Sequence, residues 1–275
     1  MAYAHGVANY LVIALCALTT LLLQILSNLA NDYGDSIHGA DSANRQGPQR
    51  AVQSGAISSG SMRMAMYVTA FLAFVSGIWL LWEAFGTTAL YYFLGFVVLG
   101  LLAIWASVSY TAGKNPYGYA GLGDVFVLLF FGLVGVLGTY FLQAKEVSPY
   151  LWLPALSCGF LANGVLNVNN IRDIESDKIA GKKSIPVRIG LQQAKLYHWS
   201  LLSLAVICAL AYVFLSPAGN AKFLFLAVVP ALIRHGVAVQ TGKTPQQIDP
   251  LLKQLALITL GFVLVFGVGQ IIAVR

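Results

Sequence analysis

Residues 8–35, ANYLVIALCALTTLLLQILSNLANDYGD, decide how the chain is to be read. Positions 8–29 carry no charge, and about 20 such residues in a helix cross the roughly 30 Å of a bilayer's hydrocarbon. The run then ends in polar groups: Asn28, Asn31, Asp32 and Asp35. At the helical period these four fall within about 100° of one another, so they share a face.

Seven further apolar runs follow, near 63–84, 88–112, 122–142, 150–171, 196–216, 221–240 and 251–273. The run at 221–240 is interrupted by Pro230, Arg234 and His235. Overall 58% of the 275 residues are hydrophobic and 9% are charged, against about 25% charged in ordinary soluble domains. The fold class expected is an all-α, polytopic transmembrane bundle of eight helices lying in the lipid bilayer. One domain is expected over residues 1–275, with cap loops near 36–62, 110–124 and 172–195.

Lys and Arg are retained on the cytoplasmic side of bacterial membranes. Thirteen of the 16 lie in the loops 30–63, 113–121, 172–195 and 234–253, which leaves Lys145, Lys222 and Arg275 elsewhere. Those loops are therefore expected to face the cytoplasm from a bacterial inner membrane. The net charge of +6 is read as this topology signal. It is not read as a nucleic-acid surface, because no helix concentrates it among aromatics. Cys16, Cys158 and Cys208 stand singly within apolar runs and are read as inert buried thiols. MAYAHGVANY lacks the charged start of a cleavable leader.

A second polar stretch, NVNNIRDIESDKIAGKKS at 167–184, repeats the theme. On one continuous helix Asn169, Asn170, Asp173 and Asp177 would share a face. An acid at the centre of a membrane helix costs about 2.5–3.5 kcal/mol on insertion scales, so several together need a cavity and a counter-charge. Carboxylates with open positions hold Mg²⁺ while it binds substrate phosphates. The pair of stripes reads as a Mg²⁺–diphosphate clamp; the bland alternative is two solvated helix ends.

The loops add basic groups. Arg45 and Arg50 follow the first stripe and could meet a diphosphate in forked geometry, or serve only as positive loop charge. YTAGKNPYGYAGLGD, 110–124, sets Lys114 and Asp124 among Tyr110, Tyr117 and Tyr119. The lysine is a candidate phosphate contact and the tyrosines are candidate walls for an aromatic or a carbocation; an interfacial tyrosine belt explains the tyrosines alone equally well. Lys178, Lys182, Lys183 and Arg188 follow the second stripe and suit phosphate oxygens. Gln24 is read either as part of the first stripe or as a helix–helix hydrogen bond. Lys195, Arg234, His235, Lys243 and Lys253 are read as topological anchors, and Asp249 as the opening acid of the last helix.

From about residue 20 onward the chain resembles the UbiA superfamily of intramembrane aromatic prenyltransferases, within it the branch acting on 1,4-dihydroxy-2-naphthoate. The superfamily's N-D-x-x-D is met by Asn31, Asp32 and Asp35, and its D-x-x-x-D-x-x-x-G-x-K-S/T by Asp173, Asp177, Gly181, Lys183 and Ser184. LQILSNLANDYGD, PYGYAGLGD and NVNNIRDIESDKIAGKK followed by VRIG carry the branch resemblance. A further acid common four residues after the first motif is replaced by Gly39, with Asp41 nearby. Members have nine helices and open with Arg-Pro-x-Thr; the resemblance implies that this chain lacks the first helix, as expected from a start set too far downstream.

The resemblance implies a polyprenyl diphosphate donor, a 1,4-dihydroxy-2-naphthoate acceptor and Mg²⁺. Asp32, Asp35, Asp173 and Asp177 would be catalytic carboxylates on the metal, assisted by Asn28, Asn31 and Asn169. Arg45, Arg50, Lys114, Arg172, Lys178, Lys182, Lys183 and Arg188 would bind diphosphate. Tyr33, Tyr110, Tyr117 and Tyr119 would contact the acceptor or the carbocation. Release of CO₂ and diphosphate would give demethylmenaquinone. Two alternatives stay open: a prenyltransferase for 4-hydroxybenzoate or homogentisate, and a divalent-cation transporter, since intramembrane acids also mark ion paths.

Overall fold

The computed structural model describes residues 1–3, 6–38, 51–87, 89–216 and 219–274. Arg45, Arg50 and Asp41 lie outside the described residues. Among the described residues, all regular structure is helical. In chain order the helices are α1 (Tyr10–Ile37), α2 (Ser59–Phe85), α3 (Leu90–Ser109), α4 (Gly123–Ala144), α5 (Pro149–Arg172), α6 (Ile174–Ile179), α7 (Ile185–Ile189), α8 (Leu191–Leu215), α9 (Asn220–Thr241) and α10 (Pro245–Val274). All except α6 and α7 are long and apolar enough to cross a membrane, which makes eight. Large apolar side chains such as Phe71, Trp82, Tyr91 and Phe214 point outward, as a lipid surround permits. The chain is a multi-pass membrane protein.

The helices group into two compact units. The first comprises residues 9–123 and 175–184. Here the Asn9 carboxamide accepts from the Leu11 and Val12 amides to start α1, satisfying amides that have no intrahelical partner. Leu26, Ala30 and Met66 form a small core with Tyr33, Ile104 and Val108 against it, and the Thr19 and Ser76 hydroxyls meet at 2.8 Å between α1 and α2. α1 continues eight residues past its apolar run. Polar partners described below keep that extension helical.

The second unit comprises residues 1–8, 124–174 and 185–275. α5 lies against α4, α8 and α10. Its core includes Leu161, Val168, Leu202, Leu255 and an aromatic group of Phe225, Phe262 and Phe266 with Tyr212. The Ser157 hydroxyl donates to the Ala205 carbonyl at 2.8 Å. Residues Leu128–Gly138 of α4 wind as a π-helix.

Three sequence expectations are corrected. Asn169 and Asp177 do not ride one continuous helix: α5 closes at Asp173, whose backbone leaves the helical region at φ −97°, ψ 12°. The Arg172 and Asp173 side chains pair there, and consecutive residues of an unbroken helix do not face each other. Lys195 is not a surface anchor. It is buried, and its ammonium donates to the Gln240 and Gly242 carbonyls at 3.1 and 2.7 Å, where a cation suits the C-terminal end of α9. His235 is likewise fully buried, with Nδ1 3.0 Å from Gln254 Oε1.

Candidate active site

The first motif occupies the last turns of α1. Asp35 is 2% exposed and accepts from the Tyr119 hydroxyl at 3.1 Å. Asp32 accepts from the Ala51 and Val52 amides at 3.1 and 3.2 Å, which anchors the chain leading into α2. The Thr111 hydroxyl lies 3.0 Å from both the Ala30 carbonyl and Asn31 Oδ1. Gln24 donates to Asn28 Oδ1 at 3.2 Å, so it belongs to the polar stripe.

Gly34 makes this face possible. A Cβ there would stand 2.4 Å from the Thr111 carbonyl carbon and 2.8 Å from the Ala112 amide nitrogen. Only a residue without a side chain lets α1 approach that backbone, and the approach delivers Thr111 and Tyr119 to the motif.

The second motif is built around a helix end. Lys182 N–H donates to the Asp177 carbonyl at 2.9 Å and Gly181 N–H to the Lys178 carbonyl at 3.2 Å. Gly181 has φ +74°. This is a Schellman cap, which requires a left-handed residue where Gly181 stands. The cap reverses the chain after α6, and the Lys182 ammonium then reaches Asp177 Oδ1 at 3.3 Å and Asp35 Oδ1 at 3.0 Å. It also sits 5.0 Å from the Tyr119 ring centroid. One cation thus joins an acid of the first motif to an acid of the second, and Asp177 is only 4% exposed. Lys183 N–H donates to the Tyr119 carbonyl at 2.9 Å and ties the same two segments.

The remaining tyrosines stand nearby in the chain. Tyr117 stacks on Trp105, meets Tyr110 edge-on and donates to the Ala106 carbonyl at 2.8 Å. Burial pushes its phenol above the ordinary value, so it remains a neutral donor. Tyr33 is half-buried against Leu26, Ala30 and Met66. Lys114, Lys178, Lys183 and Arg188 have exposed side chains.

In the second unit, Arg172 is 8% exposed and makes four side-chain hydrogen bonds. Nε and Nη2 grip both oxygens of Asp173 at 2.8 and 2.6 Å. Nη2 also reaches Asn169 Oδ1 at 2.9 Å, and Nη1 reaches Asp249 Oδ1 at 2.7 Å.

The UbiA prenyltransferase family model matches residues 1–251. The chain belongs to the UbiA prenyltransferase family. It is 43% identical to the 1,4-dihydroxy-2-naphthoate octaprenyltransferase of Haemophilus influenzae over 265 residues, covering 96% of this chain and 85% of that protein. It is 42% identical to the Escherichia coli protein of the same name over 254 residues, covering 92% and 82%. Among solved structures, a UbiA homolog from Archaeoglobus fulgidus bound to GPP and Mg²⁺ aligns with a TM-score of 0.58 at 18% identity, covering 94% of this chain and 89% of that one. At that identity the likeness speaks for the fold.

In this UbiA family member the oxygen-only donors suit a hard cation. Asp35 and Asp177 already share a positive charge through Lys182, so the residues fit a Mg²⁺ ion. Among the described residues no three His, Cys, Asp or Glu side chains form a ready coordination shell. Sequence reading missed Thr111 as a partner of the first motif, and Asp249. The contact of Asp249 with Arg172 spans 77 positions, and no local pattern encodes it.

Proposed function

We propose that this chain transfers a polyprenyl group from polyprenyl diphosphate to 1,4-dihydroxy-2-naphthoate, releasing diphosphate and CO₂ and giving demethylmenaquinone in its quinol form. The single observation that carries the reading is the Lys182 ammonium shared by Asp35 and Asp177, one acid from each motif. The acceptor is supported by the two relatives of more than 40% identity, both named for dihydroxynaphthoate. The cytoplasmic face is favoured for the site by the crowding of Lys and Arg into the loops around both motifs.

Asp32, Asp35, Asp173 and Asp177 would hold Mg²⁺ in this reading, with Asn28, Asn31 and Asn169 as neutral helpers. An ion held by these residues would supply neutralisation of the negative charge on the diphosphate leaving group. Lys182 is placed to follow that charge: it can leave its two acids for diphosphate oxygens when the acids are otherwise occupied. Lys114, Lys178, Lys183 and Arg188 are exposed, as groups that meet phosphate oxygens must be. Tyr119 keeps Asp35 oriented through its hydroxyl and offers its ring face to a cation. The ring carbon bearing the carboxylate attacks the allylic carbon, and CO₂ leaves with its bonding pair returned to the ring. An apolar, water-poor bundle protects the cation from hydrolysis.

Membranes containing the protein, given a polyprenyl diphosphate together with dihydroxynaphthoate and 4-hydroxybenzoate, should prenylate only the naphthoate. Product from 4-hydroxybenzoate alone would overturn the acceptor assignment and leave the diphosphate clamp standing. In the same assay EDTA should stop turnover and excess Mg²⁺ should restore it; turnover persisting in EDTA would remove the metal from the reading.

A further inference from the structure

Neither motif contains Asp249, yet it holds one of the most buried cations in the second unit. Asp249 lies on α10 with its side chain 39% exposed, while the Arg172 it contacts is 8% exposed. A guanidinium that deep requires a neutralising partner. Asp173 already supplies one through two parallel hydrogen bonds. Asp249 is thus a second carboxylate on the same guanidinium, at 2.7 Å from Nη1.

That second contact matters when Asp173 shares its oxygens with a metal ion. With Nη1 held by Asp249 at 2.7 Å, Arg172 keeps a charged partner while Asp173 turns part of its electron density elsewhere. Without Asp249, drawing Asp173 toward a metal would leave a buried guanidinium poorly neutralised, and metal binding would weaken accordingly. Asn169 is a neutral acceptor on the same guanidinium and cannot replace the lost charge.

We infer that Asp249 is a positioning residue for the transfer reaction, acting through Arg172 to keep Asp173 available to Mg²⁺. The inference rests on the reading of Asp173 as a Mg²⁺ ligand. A purely structural Asp249, tying the start of α10 to the end of α5, would make a different prediction.

The test uses full-length wild type, Asp249→Asn and Asp249→Glu purified in detergent. Two quantities are titrated against free Mg²⁺: the rise in Tm with inorganic pyrophosphate present, and the initial rate of prenyl transfer. Loss of a group that supports a metal ligand typically weakens the metal by about tenfold or more. Asp249→Asn should raise both Mg²⁺ midpoints by about tenfold, moving them further than it moves kcat, and Asp249→Glu should recover most of the change. A lower metal-free Tm with both midpoints within about twofold of wild type would overturn the inference alone. A wild type whose Tm ignores Mg²⁺ and pyrophosphate would overturn the inference together with the metal reading beneath it.

Discussion

Asp177→Asn should leave the protein folded in the membrane and lower prenyl transfer by about a hundred- to a thousandfold, the usual effect of removing one preorganised group that stabilises developing charge. The substitution is nearly isosteric. An asparagine can still accept from the Lys182 ammonium that now stands 3.3 Å away, and the Lys182 N–H to residue 177 carbonyl bond of the helix cap is untouched. What disappears is one negative charge at a buried position. The measurement is the initial rate at saturating Mg²⁺ in membranes with matched protein content. A rate within a few fold of wild type would exclude Asp177 from the clamp, and Asp35→Asn run beside it should match the loss.

Gly34→Ala should be nearly as damaging by a steric route. Its Cβ would fall 2.4 and 2.5 Å from the carbonyl carbon and oxygen of Thr111. These are backbone atoms, so no side-chain rotation can relieve the clash. α1 must separate from residues 111 and 112, which breaks the Thr111 contact to Asn31 and displaces the Tyr119 hydroxyl from Asp35. Forcing a methyl into a packed interior typically costs about 1–3 kcal/mol. We expect a fall of several degrees in Tm, about 2–4 °C per kcal/mol for a domain of roughly this size, and at least a tenfold loss of turnover. Gly77→Ala is the control, since its Cβ would meet nothing nearer than the Thr19 methyl at 3.9 Å. Equal behaviour of the two variants would refute the close-approach account.

Much of this was legible in the sequence, for identifiable reasons. Membrane helices announce themselves by unbroken apolar composition, and all eight runs are helices. The stripe from Gln24 to Asp35 obeys a local period, and α1 carries it intact. The stripe from Asn169 to Asp177 obeys the same arithmetic but is divided at Asp173, where the helix ends and the Arg172 side chain pairs with its neighbour. Periodicity assumes a continuous helix and cannot see that interruption.

Long-range partnerships were invisible for a different reason. Lys195 and the Gly242 carbonyl are 47 positions apart, and Thr111 and Asn31 are 80 apart. Nothing in the residue types at either end names the other. Read singly, Lys195 and Asp249 looked like a loop charge and a helix opener, which are the commoner uses of such residues. The burial of Lys195 and the partners of both follow only from how the helices pack.

The ammonium of Lys182 between Asp35 and Asp177 carries a consequence for the living cell. Because the polypeptide furnishes its own positive charge where these two acids meet, folding and retention in the bilayer need not wait on an ion from outside. Magnesium starvation should silence the enzyme and spare it from degradation, and replenishment should revive the existing molecules without new synthesis.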